Sequence, residues 1–254
     1  MISGKRVIAA MLTTLMAVTF TANTAVSVYA TGVTATENAQ TIDAQSTDAQ
    51  ALTPEEQKAQ ELQQVYDMPV ESNGYKDWPQ GPGTYGEAGI VMEVGTGAIL
   101  YAKNIDAHEY PASITKVLTA LVALENGQLT DNVTFSHDSV AFLQRGDSSV
   151  GLKEGNVITL DQAMHAMLLA SANEAAYAIG ESVGVNAGHD YNWFIEQMNS
   201  RCKELGGENS NFANTNGLHD PNHYTCARDM ALIGRELFKH PEFFQIVQTL
   251  NYTI

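Results

Sequence analysis

Basic side chains are scarce in this chain: of 254 residues, 13 are Lys or Arg against 29 Asp or Glu, for a formal net charge of −16. Binding to nucleic acid is driven by clustered Lys and Arg that neutralise phosphates. No such cluster is visible, which excludes DNA and RNA as partners. The acidity itself is read as solubility in the extracellular medium and carries no inference about substrate. Long hydrophobic runs are equally few: after one near the N-terminus, no segment is long and apolar enough for a spanning helix. There are only 2 cysteines, Cys202 and Cys226. A single pair cannot be assigned as a disulfide from its spacing, and both are read as free thiols. No internal repeat is present.

What is there divides the chain into three parts. Lys5 and Arg6 precede an apolar run from Val7 to Phe20, followed by small and polar residues with a cleavage point after Ala30. The run is short for a span and is interrupted by Thr13, Thr14 and Thr19, so residues 1–30 are predicted to be a signal peptide, not an anchor. Export to the cell wall or the outer face of the cytoplasmic membrane follows. Residues 31–87 are predicted to be a disordered linker and an irregular lead-in. The first part is rich in Thr, Ala, Gln, Asp and Glu and cannot bury enough apolar surface to offset its ordering entropy. Within it Pro54 to Leu62 is expected to form a transient helix, and Tyr75 to Gly86, with its glycines, prolines and Trp78, an irregular approach. Residues 88–254 are predicted to form one domain of ordinary size. It opens with a β-hairpin, Gly89 to Val94, a Gly95-Thr96-Gly97 turn and Ala98 to Lys103. Helical periodicity dominates afterwards.

Two short motifs carry the chemistry. Ser113-Ile114-Thr115-Lys116 heads an apolar-periodic stretch of Val117, Leu118, Leu121, Val122 and Leu124, with Pro111 near its start and Gly127 past its end. On a helix, positions three apart share a face, so Ser113 reads as a nucleophile with Lys116 as its base. Unpaired N–H groups and the dipole at a helix N-terminus favour negative charge, which suits an oxyanion there. The pattern is short, and by chance it is most often a capping serine followed by a solvated lysine. Support comes from Ser171-Ala172-Asn173. An apolar helical run through Ala163, Met164, Met167 and Leu168 there meets a small-residue helix running to about Val183. Taken alone this polar pair would be a helix cap; together the two motifs are specific.

S-x-x-K followed by a serine–asparagine pair belongs to the motif set of serine β-lactamases and penicillin-binding proteins. From about Ala88 onward the chain resembles the low-molecular-mass penicillin-binding proteins that act as serine D-alanyl-D-alanine carboxypeptidases. The likeness runs through Tyr110 to Lys116, Ser171 to Glu174, and Asn216-Gly217-Leu218 with His223 to Ala231. Alanine at 172 suits the carboxypeptidases, where β-lactamases favour aspartate, and no partner for a deacylating glutamate is evident. The resemblance implies an α+β fold of the β-lactamase/transpeptidase-like kind: an antiparallel sheet flanked by helices, an all-helical subdomain, and an active site in the cleft between them. It implies that Ser113 attacks the terminal D-Ala-D-Ala of a peptidoglycan stem peptide and that Lys116 takes its proton. Ser171 would relay the proton to the leaving D-alanine, Asn173 would bind the substrate, and the Ser113 N–H would supply half of the oxyanion hole. β-Lactams would acylate the same serine. No cofactor or metal is implied.

The third motif of that set, K-T-G, occurs nowhere in the sequence. The alternation from Gln248 to Ile254 predicts the start of another strand, and the chain is expected to lack its C-terminal strands. An open sheet edge, poor solubility and no carboxypeptidase activity of the isolated chain are expected in consequence, and a membrane anchor is expected only beyond residue 254. Cys202, His219, His223 and Cys226 are zinc-ligand types. The C-x2-C half of a zinc motif is absent, however, and His223 falls in a loop that the resembled family uses without metal. Asn216 to Leu218 is read as a tight turn, and Arg228 to Phe238 as an amphipathic helix capped by Thr225. Two alternatives stay open: another serine acyl hydrolase on the same scaffold, a β-lactamase or esterase, or a non-catalytic peptidoglycan-binding pseudo-enzyme.

Overall fold

The computed structural model describes residues 52–254; the predicted signal peptide and the part of the predicted linker before Leu52 lie outside the described residues. The domain is built round α2 (Thr115–Asn126), in which every side chain from Leu118 to Ala123 is buried. A helix that is apolar all round must be surrounded, and α5 (Asn173–Asn186), α6 (Tyr191–Glu204) and α7 (Ala227–Leu237) pack against it. α4 (Leu160–Leu169) starts with a capping box between Thr159 and Gln162, which satisfies two orphan N–H groups reciprocally. It packs on α5 and on α8 (Pro241–Val247). Leu118, Leu121, Met164, Met167, Ile179, Phe194, Met198 and Ile233 form the centre of one continuous core.

The hairpin forms as the sequence predicts: β1 (Gly89–Met92) pairs antiparallel with β2 (Ile99–Lys103), Gly89 opposite Lys103, with an irregularity between Val91 and Met92. α7 packs against β1, and the Arg235 guanidinium donates to the carbonyls of Val94 (2.7 Å) and Gly95 (3.0 Å), fastening the hairpin turn to that helix. A second, unanticipated pair joins β3 (Asn132–Thr134) to β4 (Val157–Thr159) antiparallel, with the short α3 (His137–Ala141) between them. The architecture is α+β, with small antiparallel sheets flanked by helices and a helical body.

Residues ahead of the hairpin are fastened to it. α1 (Pro54–Tyr66) is a formed helix with a Thr53–Glu56 capping box and no buried residue. Beyond it, the Ser72 hydroxyl oxygen accepts from Ala102 N (3.3 Å), Trp78 Nε1 donates to Leu100 O (3.0 Å), and Tyr101 donates its hydroxyl proton to Pro82 O (3.0 Å). Lys103, fully buried, places its ammonium on the carbonyls of Val65 (2.5 Å) and Thr84 (2.7 Å). Two local expectations are corrected. Residues after Val247 form no strand; none runs beside them among the described residues to complete a ladder, and Tyr252 instead stacks on His165 (centroids 3.7 Å) and donates to Asp161 (2.8 Å). α7 is capped by Cys226, whose Sγ accepts from Asp229 N (3.4 Å), and not by Thr225, whose backbone bridges to Glu109.

Candidate active site

Ser113 lies in a 3₁₀ turn, Ala112–Ile114, that runs straight into α2. Ala112 is held at φ +48°, a region that L-residues seldom occupy. One turn on, Lys116 is 3% exposed. Its Nζ donates to Ser113 Oγ (3.1 Å), Asn173 Oδ1 (2.8 Å) and the Asn216 carbonyl (2.6 Å). Three acceptors match the three protons of an ammonium. Burial draws the Lys116 pKa down to about 8, against an opposing pull from the Glu174 carboxylate. In the neutral amine, two protons can stay on Asn173 and Asn216 while the lone pair faces the Ser113 hydroxyl. The site therefore suits both the base and its protonated product.

The second motif falls at the α4–α5 junction. Ser171, at φ +56° between the two helices, donates from Oγ to Ser113 Oγ (3.0 Å), and Asn173 is the first residue of α5, 5% exposed. The four residues singled out in the sequence, Ser113, Lys116, Ser171 and Asn173, thus form one hydrogen-bonded group.

A third segment, 213–218, packs against the site. Gly217 sits at φ +86°, and a methyl there would overlap the Ala112 carbonyl, so the segment presses directly on the turn that carries Ser113. It is held by Thr119 Oγ1 donating to Thr215 O (2.7 Å) and by Thr215 N donating to the Tyr191 hydroxyl (3.1 Å). His223 Nδ1 accepts from Ala213 N (3.0 Å), which leaves the ring proton on Nε2, 2.8 Å from Thr115 Oγ1. Burial pushes the His223 pKa down to about 4. A groove of about 580 Å³ opens beside the site, from Asn216 and Leu218 past Tyr191, Tyr177 and Phe142 to Asp138.

In the sequence Asn216 reads only as part of a turn. Its contribution is a backbone carbonyl, and the one signal for it was the glycine that follows. The zinc-ligand types are not gathered: both His223 nitrogens are engaged as described, and among the described residues no group of three or more His, Cys, Asp or Glu is arranged to hold a metal ion. Cys202 and Cys226 are buried free thiols whose pKa values burial raises to about 11 and about 12. Among the described residues no helix is long and apolar enough to cross a membrane.

An α+β domain whose buried lysine is bonded to a serine hydroxyl, with a second serine on that hydroxyl, pairs a candidate nucleophile with an adjacent candidate base. The chain belongs to the D-alanyl-D-alanine carboxypeptidase family of peptidases, whose profile matches residues 79–254. It is similar to the D-alanyl-D-alanine carboxypeptidase DacA of Haemophilus influenzae, 34% identical over 170 residues covering 65% of this chain and 42% of that protein. It is similar also to DacF of Bacillus subtilis, 32% identical over 168 residues, 64% of this chain and 41% of that protein. The chain therefore spans less than half the length of these curated relatives. Among solved structures, penicillin-binding protein 5 of Haemophilus influenzae superposes with a TM-score of 0.62 at 31% identity, covering 69% of this chain and 52% of that one. The Streptomyces K15 DD-transpeptidase superposes with a TM-score of 0.58 at 29% identity, covering 63% of each chain.

Proposed function

We propose that the protein is an exported, penicillin-binding serine carboxypeptidase that removes the terminal D-alanine from peptidoglycan stem peptides ending in D-Ala-D-Ala. The observation that carries this reading is the buried Lys116 amine, bonded at once to Ser113, Asn173 and the Asn216 carbonyl. Ser113 Oγ attacks the carbonyl of the penultimate D-alanine as its proton passes to Lys116. The Ser113 N–H, at the mouth of α2, donates to the oxyanion. Ser171, bonded to Ser113 Oγ, carries the proton on to the departing D-alanine nitrogen as the C–N bond breaks. Water then attacks the Ser113 ester, giving up a proton to Lys116, which returns it to Ser113 Oγ as the ester C–O bond breaks and the shortened peptide leaves as its acid. Asn173 orients the substrate with whatever of its amide is not engaged by Lys116. Penicillin presents a strained amide to the same serine and leaves a penicilloyl ester there.

The test is a fluorescent penicillin, applied to the full-length protein and read by denaturing gel and peptide mass. A covalent adduct on the Ser113 peptide, absent in Ser113→Ala, together with D-alanine release from a pentapeptide, is the expected result. No adduct in a folded wild-type protein sinks the reading. Rapid turnover of the penicilloyl ester would favour a β-lactamase instead.

A further inference from the structure

Glu174 has no part in the chemistry above, yet it is fully buried directly after Asn173. Its Oε1 accepts three hydrogen bonds from one turn of chain: Ser149 Oγ (2.7 Å), Val150 N (2.8 Å) and Gly151 N (3.1 Å). The preceding residue of that turn, Ser148, accepts from Asn173 N (2.9 Å). The turn and the start of α5 are therefore stitched together at four points, all within two residues of the amide that holds Lys116. The other oxygen, Oε2, is buried with no hydrogen-bond partner. Buried polar atoms left this way are few in native proteins and destabilising, so stability alone is a poor account of a carboxylate here. Glu174 is also the charged group whose field reaches Lys116.

We infer that Glu174 is a positioning residue. Its carboxylate pins the Ser149–Gly151 turn onto the head of α5, so that Asn173 keeps its amide oxygen on Lys116 and the turn forms a fixed wall of the site. This rests on the proposed serine chemistry only for its kinetic consequence; the pinning itself is independent of it.

Arg145 and Lys153 flank the turn and are exposed, so trypsin reports on it directly. In folded protein, Glu174→Gln is expected to speed cleavage after these two residues about tenfold or more, followed by mass spectrometry. It is also expected to slow penicillin acylation of Ser113 about tenfold and to move the pH midpoint of acylation towards acid, because a negative charge near the Lys116 ammonium is gone. Glu174→Asp keeps that charge but falls a methylene short of the turn, so it should keep the midpoint while still exposing the two bonds. Unchanged cleavage in Glu174→Gln, or unchanged acylation rate and midpoint, overturns the inference. If wild-type protein takes no penicillin, the carboxypeptidase reading fails and trypsin alone decides this one. If Glu174→Gln does not fold, Ser149→Ala, which deletes one of the three donors, decides it: faster cleavage supports the pinning and unchanged cleavage refutes it.

Discussion

Lys116 sets the pH dependence of the proposed chemistry. It is a base only when neutral, and burial holds its pKa near 8, so penicillin acylation of Ser113 is expected to rise as pH passes through about 8 and to level off above it. A rate flat from about pH 6 to pH 10 would contradict that role. Ser171 is expected to matter about a hundred- to ten-thousandfold in D-alanine release, the usual range for a proton-transfer group, with Ser171→Ala leaving the melting temperature almost unchanged. His223 acts on stability instead. Its folded pKa of about 4 lies below the free value of 6.5, so between those limits the folded state binds fewer protons than the unfolded one. Its contribution is complete above about pH 6.5 and is lost as pH falls through about 4. His223→Ala strands the Ala213 N–H and the Thr115 hydroxyl, at a cost of about 1–3 kcal/mol in denaturant unfolding at pH 7. Ser113, Lys116, Ser171 and Asn173 were legible in the sequence because side-chain type and spacing define their motifs. The Asn216 carbonyl was not, since every residue has a carbonyl and only the fold decides which one faces an amine.

At the scale of elements, the groups of the candidate site sit where helices begin or meet: Ser113 ahead of α2, Ser171 between α4 and α5, Asn216 in the segment that leads to the Thr225 bridge and α7. Apolar periodicity made α2, α4 and α7 readable, a run of small residues made α5 readable, and turn chemistry made the first hairpin readable. β3 and β4, at three residues each, are too short to display alternation. The expected strand after Gln248 failed for the complementary reason: alternation is only half of a strand, and the other half is a partner with free backbone groups. Cys226 as the cap of α7 is not legible from sequence, because thiols are weak acceptors and cap preferences point to hydroxyls. The tightest junction is Gly217 against Ala112. Gly217→Ala adds a methyl into a carbonyl at a backbone angle that penalises it, so it is expected to push the 213–218 segment off the Ser113 turn and cut penicillin labelling at least tenfold. Labelling at the wild-type rate would show that the segment can yield without disturbing the serine.

For the whole molecule, the two sheets found among the described residues are each two-stranded. Such a sheet is marginal by itself and lives on its packing against helices. The outer edge of β2 is shielded by the lead-in, through Ser72, Trp78 and the buried Lys103 ammonium. No strand covers the other edge of β1 among the described residues, and exposed edges invite pairing between chains. The purified chain is expected to self-associate at micromolar concentration, measured by sedimentation; a monodisperse monomer with a sharp, reversible melt would contradict this. The Lys116 ammonium has a consequence of another kind. Its three acceptors stand 3, 57 and 100 positions away in sequence, so the base is assembled by contacts of very different contour length. Long loops close late in folding, and local helix formation cannot substitute for them. Reactivity towards penicillin is thus a gauge of the fully native population. In a urea titration the labelled fraction should vanish with the last long-range contacts, before the helical signal has finished declining.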